Sequence, residues 1–175
     1  MQRAKSCIKF INEQGVVSVF PNKIAMPSLW NFLHPRSKFS WVWDEASDGK
    51  VVKLWWLKNE IAVSKKVLYG RFFSNQPVFV SFKHAKAIKK SLSAKSRTEL
   101  ESYIFDHLEL NSPQTLRMLK KQARQDGVEF LRSDWQRALL TLQKAFLICS
   151  LGDSVREKGP MPSTEYVSMQ HFFDL

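Results

Sequence analysis

Cysteine is scarce in this sequence: Cys7 and Cys149 are the only two among 175 residues, and their separation fits no metal-binding spacing. No run of about 18 apolar residues occurs, so no transmembrane helix is expected. The first residues lack the apolar stretch of a signal peptide. We therefore expect a cytoplasmic protein that has no membrane contact and carries two free, reduced thiols.

Local active-site motifs are also missing. The sequence has no Gly-rich phosphate loop, no HExxH motif and no Ser-His-Asp or Cys-His pattern. The histidines have no partners at metal-ligand spacing, so no metal and no cofactor are predicted. Four acidic residues near the tryptophans are general acid or base candidates only if buried: Asp44, Glu45, Asp48 and Glu60. These absences favour a non-enzymatic protein.

A basic excess is what the sequence has instead. Its 27 Lys and Arg against 16 Asp and Glu give a net charge of +11. Residues 1–82 carry +7 and residues 83–175 carry +4, so the excess is not confined to a tail. A positive electrostatic field attracts polyanions such as nucleic acid. Many cytoplasmic proteins, however, are basic and bind no nucleic acid.

Aromatic residues are abundant, at 13% of the chain. The group Trp41, Trp43, Trp55 and Trp56 suggests a base-stacking role. Burial in a core is the more ordinary role for such large apolar rings, and we predict that these tryptophans pack internally.

Short elements of both kinds are predicted in residues 1–95, an aromatic-rich α/β part that ends in a Ser-rich linker. The predicted elements are a strand at 15–20, helices at 29–33 and 64–73, a strand at 78–82 and a helix at 83–92. The run 54–57 is too short for periodicity to decide between helix and strand.

The second half has the pattern of three helices. Residues 97–108 present an apolar helical face. Ser112 as N-cap and Pro113 as first residue are predicted to open the second helix. Ser133 and Gln136 have the spacing of a capping box for the third.

A β-ribbon is predicted after the third helix. Its parts are a strand at 146–151, a turn at Gly152-Asp153 and a wing tip at 156–159. The sequence therefore predicts a helix-rich α+β fold with a winged helix-turn-helix over residues 96–159, packed on residues 1–95. A tail of residues 160–175 follows, in which Phe172 and Phe173 indicate that its end docks.

Basic and polar side chains lie opposite the apolar stripes of the second and third predicted helices. Those of the third helix can meet base edges, those of the second can track phosphates, and those of the wing can enter a minor groove. The candidate DNA-binding residues are Arg117, Lys121, Arg124, Gln136, Arg137, Thr141, Lys144, Arg156 and Lys158. Each alone is also what an ordinary solvated helix shows. Leu140 also lies on this outer side, and an apolar residue there is suited to a thymine methyl, to the first half of the chain or to a second subunit.

Several segments carry a family resemblance: residues 17–21, 26–30, 55–61 and 69–71, and residues 134–143 of the third helix. Together they resemble small bacterial proteins described as AlkZ-related, over most of residues 15–152. Where those proteins have a Lys-Asp-Glu-Leu-Pro-like run, this chain has Lys58-Asn59-Glu60-Ile61-Ala62. Because Asn59 replaces the acidic residue, any role of an acid at that position is not carried over to this chain.

The resemblance implies a winged-helix fold and a DNA-related role. The AlkZ (YcaQ) glycosylases are longer proteins of winged-helix repeats that unhook DNA interstrand crosslinks with a Gln-x-Gln motif. This chain has no Gln-x-Gln, and Gln122 and Gln125 are three apart. The leading hypothesis is a non-enzymatic protein that binds double-stranded DNA in repair or transcription. The alternatives are a protein-interaction module that uses the Leu140 face and a glycosylase with a non-standard site.

Overall fold

A computed structural model describes residues 2–23, 25–41, 49–73, 75–93, 95–153, 163–173 and 175. Helices and an antiparallel sheet make up the fold, with 54% of the described residues helical, which confirms the α+β class and its helical excess. Among the described helices, none has the length and apolar character needed to cross a bilayer.

The first half of the chain contributes four helices and three strands to the described structure. In order these are α1 (Gln2–Gln14), β1 (Val16–Ser18), α2 (Leu29–Leu33), α3 (Lys50–Val63), β2 (Leu68–Gly70), β3 (Val78–Val80) and α4 (Phe82–Ser91). Helix α1 was not predicted, although Ala4, Cys7 and Ile11 form its buried stripe. It ends at Gly15, whose φ of +81° and contact with the His84 ring leave no room for a side chain.

The second half contributes the remaining helices and strands. In order these are α5 (Glu99–Asn111), β4 (Gln114–Thr115), α6 (Leu116–Gln125), α7 (Arg132–Lys144), β5 (Ile148–Asp153), β6 (Thr164–Ser168) and α8 (Met169–Phe173). The Thr98 side chain and Glu101 close a capping box at the start of α5, which fixes where this helix begins.

One antiparallel sheet joins the strands, in the order β1-β3-β2-β5-β6-β4. The link between the two halves is the pairing of β2 with β5, where Tyr69 lies opposite Ser150. The segment 160–175 supplies β6, which pairs with both β5 and β4. The sheet therefore crosses both predicted segment boundaries, and Phe172 and Phe173 pack on the core as expected.

Buried apolar side chains form three clusters. One lies under α1 and α3, one between the sheet and α4 and α8, and one among α5, α6 and α7. Both cysteines are free, as predicted, and both are buried in these clusters. Burial raises the pKa of the Cys7 thiol to about 11, so this thiol is protonated and unreactive near neutral pH.

Two local predictions about secondary structure are wrong. Residues 64–73 are not a helix: Lys65 has a φ of +57°, and the following residues form strand β2. This strand is buried throughout, so it lacks the alternation that would have revealed it. Gly152-Asp153 is not a turn, because β5 continues through a bulge to Asp153.

The predicted helix caps of the second half are also wrong. Ser112 is the C-cap of α5, and the cap of α6 is Thr115, whose side chain accepts from the Met118 N–H. Helix α7 begins after Leu131 with no side-chain cap, and Ser133 lies inside it. The cap patterns were present in the sequence, but packing placed each helix start two or more residues away.

The prediction that the tryptophans are core residues fails for two of them. Trp41 is 57% exposed and Trp56 is 55% exposed. Trp55 is half-buried, and Trp43 lies outside the described residues.

Two leucines of α5 allow a matched test of the helical core. Leu108 is fully buried, whereas Leu110 is 80% exposed. Leu108→Ala should lower the free energy of unfolding by about 2–5 kcal/mol because it leaves a cavity. Leu110→Ala should change it by less than about 0.5 kcal/mol. Urea unfolding followed by tryptophan fluorescence measures both, and equal effects would contradict this packing.

Candidate nucleic-acid interface and adjoining cavity

Helix α6 is divided into an apolar and a basic face. Leu119 and Ala123 are buried against α5 and α7. Arg117, Lys121 and Arg124 are exposed, as predicted. Their spacing of four and three residues places them along one side of the helix. The helix contains no acidic residue, so nothing within it neutralises this face.

Arg124 also lines a cavity of about 400 Å³ between α6 and the start of α7, together with two more cations, Lys120 and Arg132. The acidic residue Glu129 is also part of this lining. Burial lowers the pKa of Lys120, and the charges of Arg132 and Arg124 lower it further. Like charges therefore crowd together at this end of α6.

Asp126, the acidic residue that caps the end of α6, is hydrogen-bonded to neighbouring side chains. The Tyr103 hydroxyl donates to Asp126 at 2.7 Å, and the Gln122 amide donates to it at 2.9 Å. These hydrogen bonds lower the pKa of Asp126. Each carboxylate oxygen of Asp126 therefore already accepts a hydrogen bond, and His107 Nε2 lies 3.5 Å from one of them, although the residue is exposed.

Helix α7 presents the other predicted residues. Gln136, Arg137, Thr141 and Lys144 are all exposed, while Trp135, Ala138, Leu139 and Leu142 are buried. Arg137 lies 3.8 Å from Asp134, in an ion pair whose side chains are 77% and 35% exposed. The remaining two predicted residues, Arg156 and Lys158, lie outside the described residues.

Part of α7 borders a second cavity, of about 510 Å³, which we call the junction cavity. Gln136, Arg137 and Leu140 line it on one side, and residues of α3 and of the sheet line it on the other. Leu140 is half-buried there, so this leucine faces the first half of the chain. Thr141 and Lys144 are not among its described lining residues.

A buried ion pair forms part of the lining of the junction cavity. The Lys58 ammonium donates to the Asp153 carboxylate at 3.2 Å, and the two side chains are only 2% and 12% exposed. The Asn59 amide donates to the same carboxylate oxygen at 2.9 Å. Lys58 Nζ also lies 4.2 Å from the centre of the Trp55 ring. Lys58 is therefore surrounded by groups that favour its charged form.

Electrostatics in the cavity are governed by burial. Desolvation lowers the pKa of Lys58, and the charge and hydrogen bond of Asp153 oppose that shift. Burial raises the pKa of Tyr69 and of Tyr166, so both hydroxyls stay neutral and able to donate. Arg71 adds an exposed guanidinium to the lining. A neutral ion pair, phenol donors and the exposed residues Arg71 and Arg137 thus share one cavity.

Three residues of the junction cavity were not predicted from the sequence as site residues: Lys58, Asp153 and Arg71. One signal was present: Lys58 occupies a core position of α3, in line with the buried Val51, Leu54 and Ile61. No signal pointed to Asp153, because its partner is 95 positions away. Of the predicted acids, Glu60 is exposed and does not line the cavity, and the other three lie outside the described residues.

A family described as AlkZ related matches residues 1–175. The chain belongs to the AlkZ-related family. No curated protein and no solved structure matches it. Within the described residues, no group of three or more His, Cys, Asp or Glu is placed to hold a metal ion.

The buried ion pair predicts a large and specific stability effect. Asp153→Asn should lower the free energy of unfolding by about 3–5 kcal/mol, because Lys58 is left as an uncompensated buried charge. Combining it with Lys58→Met should restore much of that loss. The control is Glu13→Gln, which breaks the exposed pair with Lys9 and should cost less than about 1 kcal/mol. A double variant no more stable than Asp153→Asn would contradict the ion pair.

Proposed function

We propose that this AlkZ-related protein binds double-stranded DNA, with α5, α6, α7 and the β5-β6 ribbon acting as a winged helix-turn-helix. Family membership supports a DNA-related role. The net charge of +11 supplies long-range attraction to a polyanion. In this proposal binding is itself the function, and the absence of a Gln-x-Gln motif supports a non-enzymatic role.

The observation that carries the proposal is the basic face of α6. Arg117, Lys121 and Arg124 are exposed on a helix that has no acidic residue. At a rise of 1.5 Å per residue they extend along about 10 Å, enough to follow the phosphates of a few nucleotides. Lys120 and Arg132 extend the same positive surface towards the start of α7.

Helix α7 is proposed as the reader of base edges. Gln136 and Arg137 have side chains that form paired hydrogen bonds with adenine and guanine in a major groove. Thr141 and Lys144 follow on exposed positions of the same helix and are assigned to sugar and phosphate contacts. Arg156 and Lys158 are proposed as wing contacts on the grounds of sequence alone.

Duplex binding titrated across salt tests the proposal. Replacing Arg117, Lys121 and Arg124 with Gln should weaken binding to a short duplex and flatten the plot of log K against log salt. Three lost phosphate contacts should reduce its slope by about 2.7. Fluorescence anisotropy with a labelled duplex measures both quantities.

The matched control removes three charges from another helix. Lys83, Lys86 and Lys90 are exposed on α4, and their replacement with Gln changes the net charge equally. This control should keep most of the affinity and of the salt slope. Equal losses in both variants would show a general charge effect and refute the assignment to α6. Absence of binding at low salt would refute the function.

A further inference from the structure

The junction cavity has a volume that suits a ligand smaller than a DNA duplex. Its volume of about 510 Å³ lies within the range of small-molecule sites. It adjoins α7 at Gln136 and Arg137, two residues that the proposed function places against DNA. Ligands of the cavity and of the proposed DNA surface would therefore share these side chains.

Charge in the cavity selects an anionic group. Lys58 and Asp153 neutralise each other at 3.2 Å, which leaves the guanidinium groups of Arg71 and Arg137 as the excess charge. Arg137 keeps its exposed contact with Asp134 at 3.8 Å, a weak pairing that a stronger anion can replace. Two guanidinium groups at one cavity are suited to a phosphate, which they bind through paired hydrogen bonds.

The remaining lining selects a planar ring with a polar edge. Trp55 and Tyr166 are half-buried and supply aromatic surface on which a flat heterocycle can pack, whereas Tyr69 is buried against Phe79. Asp153 is an acceptor in this lining, and its second oxygen, Oδ1, has only a long contact of 3.5 Å with the Thr164 hydroxyl among the described residues. A nucleobase presents N–H donors that suit such an oxygen.

We propose that the junction cavity binds a single nucleotide, with the base against Trp55 and its N–H edge on Asp153, and the phosphate on Arg71 and Arg137. Lys58 and Asn59 are positioning residues that hold the Asp153 carboxylate. The nucleotide is either a free monophosphate or an unpaired nucleotide of bound DNA. The second source rests on the proposed function, and the first does not.

Two kinds of probe distinguish the sources. The four deoxynucleoside 5′-monophosphates are titrated by calorimetry, and a duplex with a one-nucleotide bulge is compared with the same duplex fully paired. Monophosphate binding without a bulge preference assigns the free nucleotide. A bulge preference without monophosphate binding assigns the nucleotide in DNA, and both together also support the cavity.

Substitutions of the lining residues test whether the nucleotide binds in the junction cavity. Arg71→Ala and Arg137→Ala remove exposed guanidinium groups and should each weaken nucleotide binding about tenfold or more. Lys86→Ala, which removes an exposed charge of α4, should leave it unchanged. Asp153→Asn should change the order of preference among the four bases. If Asp153→Asn does not fold, the two arginine variants decide the outcome.

The proposal is overturned if no monophosphate binds at millimolar concentration and the bulged duplex binds no more tightly than the paired one. It is also overturned if binding is unaffected by both arginine variants. Neither result touches the proposed function, which depends on binding of the paired duplex through α6. Loss of duplex binding alone, with monophosphate binding intact, refutes the proposed function and leaves the cavity assigned.

Discussion

The pairing of β5 with β2 is the constraint on which the rest of this structure depends. It is the point where one sheet joins the two halves of the chain, and β6 then extends the sheet from the other side of β5. Helix α3 packs on β5, and α7 leads directly into it. The junction cavity exists because this strand holds α3 and α7 beside each other.

The end of β5 also explains why a charged group lies inside the fold. A bulge between Ser150 and Gly152, with Gly152 at a φ of +96°, changes the direction of the strand just before Asp153. Bulges of this kind re-aim side chains. Here the carboxylate meets Lys58 and Asn59 of α3. A buried ion pair stabilises a fold no better than apolar side chains of the same volume, so stability alone does not account for it. The position of the ion pair in the lining of a cavity accounts for it if that cavity binds a polar ligand.

The sequence predicted those parts of the fold that local patterns determine. The α+β class, the strand at Val78–Val80 and the basic faces of α6 and α7 follow from periodicity and composition. Strand β2 was missed because all three of its residues are buried, so no alternation marks it. The predicted basic residues of α6 and α7 are exposed where helical periodicity placed them: Arg117, Lys121, Arg124, Arg137 and Lys144. The Lys58–Asp153 pair and the junction cavity depend on contacts across 95 positions, which no local pattern encodes.

The two charged regions differ in a way that bears on what each can bind. On α6 and the start of α7, cations lie close to cations: burial lowers the pKa of Lys120, and the neighbouring charges of Arg132 and Arg124 lower it further. The repulsion between these cations raises the free energy of the unbound protein. An extended polyanion lowers it, because its phosphates lie between the positive charges. In the junction cavity, Lys58 already has its counter-ion, so an incoming phosphate gains little there and is directed to Arg71 and Arg137. The first surface therefore suits a long anion and the second a short one that also offers a planar, hydrogen-bonding ring.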